Sequence, residues 1–323
     1  KQAKHIVLTT VPLRLEEIRS WDKPIIAVCR SGARSSQATQ FLVSNGLDAI
    51  ILSLRALGIG PGDEVIVPSN TYIATALAVT NVGATPVFCD IDLDSYHISL
   101  DSIKRMYSDK VKAIIYPHLF GNMTDTTEIH QFCKDNNILF IEDAAQSLGS
   151  SLHNIKAGTI GDCSVYSFNS NKVIAGINGG GVVLTDNEDI AKRVKMIRRH
   201  GKDKDFAELG YNSKMFVTNA DIIQYRLTQM PKWQEKRNEI AAIYTKELKY
   251  DVICQNVPEE LSHNFHKFVI RFEDKDQRKR VKDGLKSVGL NASIHYEKPL
   301  SENSLYIKEH HRKDNCTNSQ IAS

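Results

Sequence analysis

Two segments decide the fold of this chain: ILFIEDAAQS (Ile138–Ser147) and SVYSFNSNKVIAGINGGGVVLTD (Ser164–Asp186). In the first, an apolar run ends in the carboxylates of Glu142 and Asp143. In the second, a polar loop that holds Lys172 separates two apolar runs. Short apolar runs of this kind favour buried strands, and open α/β sheets bind ligands at the carboxyl ends of their parallel strands. The pattern therefore predicts an α/β protein with a ligand site that contains Asp143 and Lys172.

The same alternation of strands and helices extends from residue 63 to residue 186. The strand candidates are Val65–Val67, Pro86–Ile91, Ala113–Tyr116, Ile138–Ile141, Ser164–Phe168 and Gly181–Leu184. The helix candidates between them are Ala74–Val82, Ser102–Tyr107 and Thr126–Asn136. Strands separated by such helices predict right-handed crossovers and a mostly parallel sheet with helices on both of its faces.

The pattern changes after residue 186. Helical signals dominate from Ile190 to Leu248, and Pro231 predicts a break within them. The stretches His266–Phe272, Arg278–Val288 and Ala292–Tyr296 then favour strand, helix and strand, as in a small α+β domain. We therefore divide the chain into an N-terminal segment 1–43, a large domain 44–230 and a small C-terminal domain 231–323.

Composition restricts the function classes. The 323 residues are 41% hydrophobic and 24% charged, with a net charge of +3. This balance is typical of a soluble globular protein and is too weak to indicate a nucleic-acid or membrane partner. The six cysteines form no CxxC pair, and no motif indicates a metal site, so we expect reduced thiols and a cytoplasmic location. The first residue is Lys and the last segment is polar, and we expect that both ends are cut.

The N-terminal segment has a pattern of its own. A strand candidate, Pro24–Val28, leads into CRSGARS (Cys29–Ser35) and then into a predicted helix, Ser36–Leu42. Loop N–H groups and a helix N-terminus lower a thiol pKa, so Cys29 is a candidate to carry an anionic persulfide. Residues 1–43 resemble the second half of a rhodanese, which makes a sulfurtransferase centred on Cys29 an alternative function.

The chemistry of pyridoxal phosphate explains the two opening segments together. This cofactor requires a lysine for its Schiff base, a carboxylate at its pyridine nitrogen and N–H groups for its phosphate. Lys172 and Asp143 supply the first two groups, Gln146 lies within reach of the ring, and Ser167 can donate to the phosphate. Taken singly, each residue also has an ordinary interpretation, such as a surface lysine or a carboxylate that caps a helix.

Two further motifs fit the same cofactor. In SNGLDAIILSLRALG (Ser44–Gly58), Gly46 opens a predicted helix, so the N–H groups of Leu47, Asp48 and Ala49 are expected to face an anion. In PSNTYIAT (Pro68–Thr75), Tyr72 follows a strand candidate and is placed to cover the ring, although an ordinary core tyrosine fits the sequence equally well.

Together these motifs resemble the DegT/DnrJ/EryC1/StrS sugar aminotransferases. The resemblance extends from Asn45 to Ser323 and rests on NGLDA, GIGPGDEVIVPSNTYIAT, GATPVFCDID, IEDAAQS, SFNSNK, GYNSK and IHY. It implies a fold-type I enzyme that uses pyridoxal phosphate and works as a homodimer with active sites at the subunit interface.

The resemblance also implies roles for individual residues. Lys172 would be the Schiff-base lysine and the base for the proton shift, and Asp143 would pair with the pyridine nitrogen. Gln146 and Tyr72 would flank the ring, and Ser167 would contact the phosphate.

Other implied roles lie at the edges of the site. Asn212 would reach the phosphate of the neighbouring subunit, and His118, His295 and Tyr296 would line the sugar pocket. The chain departs from the family where Leu47 replaces the usual threonine. It also lacks the family's usual N-terminal stretch, so dimerisation is expected to be impaired.

The expected function is transfer of an amino group from an amino acid, with L-glutamate as the expected donor. The acceptor would be a keto group of a dTDP-type deoxysugar, at C3 rather than C4, in polysaccharide or deoxyaminosugar biosynthesis. Besides the sulfurtransferase, a non-catalytic regulatory relative with the same fold is an alternative, although such a relative would be expected to lack Lys172.

Overall fold

A mostly parallel sheet forms the centre of the molecule, for which the computed structural model describes residues 39–43, 45–203, 205–248, 250–308 and 311–323. The strands are β1 (Thr39–Val43), β2 (Glu64–Pro68), β3 (Thr85–Cys89), β4 (Val111–Pro117), β5 (Leu139–Asp143), β6 (Ser151–Leu152), β7 (Ile155–Lys156), β8 (Cys163–Ser167), β9 (Gly181–Thr185), β10 (Ile253–Cys254), β11 (Leu261–Ser262) and β12 (Ile270–Arg271). Seven of them form the central sheet in the order β1–β9–β8–β5–β4–β2–β3. Only β9 runs antiparallel to its neighbours, so the predicted mostly parallel sheet is confirmed.

Helices connect these strands. They are α1 (Gly46–Ala56), α2 (Ala74–Asn81), α3 (Leu100–Met106), α4 (Thr127–Asp135), α5 (Glu188–Ile197), α6 (Val217–Leu248), α7 (Lys275–Ser287), α8 (Ser304–Lys308) and α9 (Thr317–Ala322). Short 3-10 turns lie at Leu119–Gly121 and Leu300–Glu302. Within the described residues, none of the helices is long and apolar enough to cross a bilayer.

Alternate side chains of each strand pack into two hydrophobic cores, one on each face of the sheet. On β2, Val65 and Val67 belong to the core that includes α1, α2 and α5. Ile66 lies on the opposite face, where it belongs to the core that includes Ile103 of α3 and Ile129 of α4. Successive residues of a strand point to opposite faces, so continuously apolar strands require helices on both sides. The predicted three-layer arrangement is therefore confirmed.

Helix α1 begins where the sequence predicts it. The side chain of Asn45 accepts a hydrogen bond from the N–H of Asp48 at 2.9 Å, which is the usual N-cap arrangement. After the helix, Gly58 has a φ of +84°, a backbone conformation that favours glycine and ends the helix. These two signals set the start and the end of α1.

Three predictions for the second half of the chain are wrong. Pro231 does not break the helical region, because α6 continues through it. Ala292–Tyr296 contains no strand, and only Ile270–Arg271 of the stretch His266–Phe272 is a strand, paired with β10. The predicted helix at Arg278–Val288 is confirmed as α7. The boundary that we predicted after residue 230 falls within α6, and the division into two domains remains a prediction.

The N-terminal prediction is contradicted where the structure describes it. Residues 39–43 form β1, which pairs antiparallel with β9, so the predicted helix Ser36–Leu42 is wrong for its described part. Here the pairing of a sheet edge overrides the local helical pattern. The strand candidate Pro24–Val28 and Cys29 lie outside the described residues.

A segment near residue 313 covers the other edge of the sheet. The N–H of Phe88 in β3 donates to the carbonyl of Arg312, and the N–H of Asp314 donates to the carbonyl of Phe88, both at 2.9 Å. Next to β3, the carboxylate of Asp90 accepts hydrogen bonds from the N–H groups of Asn318 and Ser319 and from the Ser319 hydroxyl. These contacts anchor the first turn of α9.

We expect Asp90→Ala to lower the free energy of unfolding by about 1–3 kcal/mol, because it leaves buried N–H groups without acceptors. Urea denaturation followed by circular dichroism would measure this difference. Asp94→Ala is the matched control, since Asp94 is exposed. Equal unfolding midpoints for the two variants would contradict the anchoring role of Asp90.

Candidate active site

Four strand ends meet at one edge of the sheet and carry most of the predicted site residues. Tyr72 and Thr75 follow β2, His118 follows β4, and Asp143 is the last residue of β5. Ser167 ends β8, and Lys172 lies in the loop after it. Because these strands are parallel, their carboxyl ends lie side by side, as the sequence predicted.

The side chain of Glu142 links several of the segments next to this edge of the sheet. Its carboxylate is fully buried and accepts five hydrogen bonds, from His118 Nε2, the Ser164 hydroxyl and the N–H groups of Gly158, Ile160 and Gly161. Burial alone would raise its pKa, but His118 and the backbone N–H groups hold the pKa of Glu142 below its usual value. Glu142 therefore joins the end of β5 to the residue after β4, to the loop before β8 and to the start of β8.

His118 does not lie where we predicted it. Its side chain has no exposed surface, and Nε2 lies 2.8 Å from Glu142 Oε1. Its ring also packs edge-on against Tyr116. The prediction that His118 lines a sugar pocket is therefore wrong, because its imidazole is enclosed in the core beneath the site.

Asp143 is the buried carboxylate of the site. Thr75 donates its hydroxyl proton to Oδ2 at 3.0 Å, and the N–H of Ala145 donates to Oδ1 at 3.2 Å. Burial raises the pKa of Asp143, while the positive charge of Lys172 opposes the shift. A second cationic group beside this carboxylate, such as a protonated pyridine nitrogen, would stabilise its ionised form.

Lys172 is half-buried and lies in the loop after β8. Its backbone N–H donates to the carbonyl of Asn169 at 2.9 Å. Burial lowers the pKa of Lys172 to about 8; Asp143 opposes the shift and Lys267 adds to it. A lysine must lose its proton before it can attack a carbonyl carbon. The surroundings of Lys172 therefore favour an imine-forming amine over an ordinary surface lysine.

The start of α1 and Ser167 form a narrow cradle. A Cβ added to Gly46 would lie 2.8 Å from both Cβ and Oγ of Ser167, so the helix start approaches the strand end as only glycine allows. A helix N-terminus beside a hydroxyl fits a phosphate group. The two elements that we predicted for the phosphate are therefore brought together.

The donors in this cradle differ from the prediction. The N–H of Asp48 is taken by the Asn45 side chain, and the N–H of Ala49 is taken by the Asn45 carbonyl. This leaves the N–H groups of Gly46 and Leu47 as the remaining backbone donors at this end of the helix. The carboxylate of Asp48 accepts a hydrogen bond from the Ser213 hydroxyl at 2.6 Å, so it holds a neighbouring loop.

That loop carries Asn212. Ser213 is buried and bonded to Asp48, whereas Asn212 is exposed. The backbone of Asn212 pairs with that of Arg199, which fixes the loop beside the end of α5. Asn212 is thus held firmly while its side chain faces outward, away from this chain's own core.

Aromatic and amide side chains form a further part of the site, close to Asp143. Tyr72 is 52% exposed, and its ring centroid lies 6.5 Å from that of Tyr296. Tyr296 lies close to Gln146 and Asp143, and burial raises its pKa. Gln146 Oε1 accepts a hydrogen bond from the N–H of Phe120 at 2.8 Å, and His295 packs against the Phe120 ring.

The structure adds residues that we did not predict. Thr75 donates a hydrogen bond to Asp143. Lys267 lowers the pKa of Lys172, and Lys172 in turn lowers the pKa of His266. Thr75 was present in the motif PSNTYIAT. His266 and Lys267 gave no signal, because we assigned their stretch to an ordinary strand.

The model of the DegT/DnrJ/EryC1/StrS aminotransferase family matches residues 36–323. This match, together with the lysine and carboxylate at the strand ends, decides the identification. The chain belongs to this family. The match begins within the segment 1–43, so it gives no support to the rhodanese resemblance that we expected there.

Curated relatives of this aminotransferase agree with the family match. A pleiotropic regulatory protein of Geobacillus stearothermophilus is 35% identical over 262 residues, which cover 79% of this chain and 70% of that protein. The dTDP-3-amino-3,6-dideoxy-alpha-D-galactopyranose transaminase of Aneurinibacillus thermoaerophilus is 35% identical over 267 residues, which cover 82% of this chain and 73% of that enzyme.

Solved structures agree as well. NtdA of Bacillus subtilis, solved with the bound cofactor PMP (pyridoxamine phosphate), has a TM-score of 0.80 and is 28% identical. The similarity covers 88% of this chain and 66% of that chain. The expected fold class and the pyridoxal phosphate cofactor are therefore confirmed, and the chain is a sugar aminotransferase.

Covalent capture of pyridoxal phosphate by the cofactor-free protein should increase with pH up to about 8 and then level off, because Lys172 loses its proton near that pH. Borohydride trapping followed by peptide mapping would measure capture and locate the label. Nα-acetyl-lysine is the control, and its capture should keep rising because an ordinary lysine has a pKa of about 10.4. A label on another lysine, or an unchanged yield in Lys172→Ala, would disprove this assignment.

Proposed function

We propose that this aminotransferase transfers the amino group of L-glutamate to the 3-keto group of a dTDP-linked deoxysugar. The observation that supports the site most directly is the pairing of Lys172 with Asp143 at neighbouring strand ends. Burial raises the pKa of the carboxyl and lowers the pKa of the amine, while each charge opposes the shift of the other. Perturbed pKa values of this kind are typical of groups in active sites.

Each residue has a defined task in this proposal. Pyridoxal phosphate, when bound, supplies the electron sink that stabilises negative charge on the substrate carbon. The carboxylate of Asp143 holds the pyridine nitrogen protonated, and Thr75 orients that carboxylate through its hydrogen bond. The Nζ of Lys172 would hold the cofactor and, once free, would act as the base that moves the proton of the substrate carbon.

The remaining residues hold the cofactor and the sugar. Ser167 and the N–H groups of Gly46 and Leu47 bind the phosphate, with Asp48 acting through Ser213 rather than as a ligand. Tyr72 and Gln146 flank the ring. His295 and Tyr296, whose rings contact each other, would contact the sugar, whereas the His118 ring bonds to Glu142 instead.

The choice of sugar rests on the relatives. The Aneurinibacillus enzyme is named for a 3-amino sugar linked to dTDP. Other relatives are named for UDP- and GDP-linked sugars, so the nucleotide is the less strongly supported part of the proposal. Catalysis is favoured over a non-catalytic regulatory role because the chain retains Lys172, the lysine that such a relative would be expected to lack.

We also propose a homodimer in which Asn212 completes the partner's phosphate site. Asn212 is exposed on an anchored loop, as a residue that crosses an interface must be. Large apolar side chains surround it in the sequence: Phe206, Leu209, Phe216 and Val217 are each at least 67% exposed. Exposed apolar side chains are common in protein–protein contacts, which supports a partner at this part of the chain.

Asp143→Asn should retain bound cofactor and lose at least about 100-fold in transamination rate, because a preorganised charge at the reacting group contributes several kcal/mol. Transfer of labelled nitrogen from L-glutamate to 3-keto and 4-keto dTDP-sugars, followed by mass spectrometry, would measure both rate and acceptor. Asp94→Asn is the exposed control. Near-normal transfer by Asp143→Asn would contradict the assigned role, and product only from the 4-keto sugar would contradict the proposed acceptor.

Mixing two impaired chains, at a cofactor concentration too low to saturate Asn212→Ala, would test the dimer. Lys172→Ala and Asn212→Ala chains, dissociated and reassociated together, should form heterodimers in which one site has both residues. Random reassociation should restore about a quarter of the wild-type activity, and Asn212→Ala alone should need more cofactor for full occupancy. No recovery, with sedimentation showing monomers throughout, would contradict the shared site.

A further inference from the structure

Several basic side chains lie near Lys172, and few carboxylates neutralise their charge. Lys267 lowers the pKa of Lys172, and both lysines, with Arg237, lower the pKa of His266 below the value that burial alone would give. Lys267 acts on His295 in the same way. In the described part of the chain, neither Lys267 nor Arg237 has a carboxylate within ion-pair distance. The carboxylate that acts on Lys172 is Asp143, whose charge raises the pKa of that lysine against the effect of burial.

Lys267 is held in this position by its backbone. Its N–H donates to the carbonyl of Phe120 at 3.2 Å, and the N–H of Phe120 donates to the side chain of Gln146. Asn264 strengthens the connection, because its amide donates to the carbonyl of Gln146 at 2.9 Å and accepts from the N–H of His266. The segment that carries Lys267 is thus bonded to the loop that carries the predicted ring contact.

A second observation indicates a missing ligand. His266 is 7% exposed, and its Nε2 is buried without a hydrogen-bond partner in the described residues. Buried polar atoms normally have partners, so an unpaired one beside a site indicates a group that is supplied from outside. Lys267 itself is half-buried, and burial together with Arg237 lowers its pKa. An anion at this place would relieve the repulsion among the cations.

We propose that Lys267 binds a carboxylate of a substrate directly beside Lys172. The inference rests on the proposed function, in which Asp143 is committed to the pyridine nitrogen and cannot balance Lys267. A carboxylate suits this place because the amino donor always brings one, attached to the carbon that reacts at Lys172. A uronic-acid sugar would bring the same group from the acceptor side.

Binding of unreactive ligands to the cofactor-loaded enzyme separates this inference from turnover. Isothermal titration calorimetry with glutarate tests the donor side, and UDP-glucuronate compared with UDP-glucose tests the acceptor side. Lys267→Met should weaken binding of glutarate or of UDP-glucuronate by about 10- to 100-fold and leave UDP-glucose unchanged. Lys267→Arg should retain most of the affinity, and Lys246→Met, on an exposed part of α6, should match the wild type.

The kinetics of the half-reaction with L-glutamate provide a second test of the donor side. If the donor is the source of the carboxylate, Lys267→Met should raise the glutamate concentration needed for half-maximal rate and change the limiting rate little. Weaker binding of UDP-glucuronate alone would assign the carboxylate to the sugar and also support the inference. Unchanged affinity for both acids in Lys267→Met would overturn it. A wild-type enzyme that transfers no amino group would instead refute the proposed function.

Discussion

The buried carboxylate of Glu142 is the contact on which the rest of the site depends. Five donors from three separate segments converge on it, which keeps a charge stable where no water reaches it. Glu142 and Asp143 are successive residues of β5, so their side chains point to opposite faces. By holding Glu142 on one face, the protein directs Asp143 toward Thr75 and Lys172 on the other. A structural carboxylate thereby sets the direction of a functional one.

Two opposed effects then set the charge of Asp143 and Lys172. Burial favours the neutral form of each group, and each group favours the charged form of the other. Neither effect removes the other, so the pKa of each group is shifted less than burial alone would shift it. A fully exposed pair would behave as ordinary surface charges, and a fully buried pair without hydrogen bonds would become neutral. The half-buried loop of Lys172 lies between these limits.

The sequence could predict which site residues lie at the ends of strands. Asp143 and Lys172 follow apolar runs, and parallel strands bring such positions together whatever the details of packing. The face to which a side chain points was harder to predict. His118 follows β4 in the same way, yet its ring turns into the core to meet Glu142. Hydrogen bonds of the cap were also missed, because Asn45 takes the donors of Asp48 and Ala49.

Long-range contacts account for the other differences. The helical pattern before Val43 yields to the edge of β9, and Lys267 gains its importance from tertiary neighbours such as Lys172 and Arg237, which lie far from it in the chain. Neither effect leaves a local signal. Periodicity and turn residues report on local structure, so they located elements well and their tertiary partners poorly.

The attachment of residues 312–314 to β3 has a consequence for biosynthesis. β3 leaves the ribosome early, whereas the segment that covers its outer edge is translated long after the other strands of the sheet. Until then, the N–H and carbonyl of Phe88 on this outer edge are unpaired, and other chains can join such an edge. Chaperones that bind exposed strands would therefore be needed most during the interval between the synthesis of these two segments.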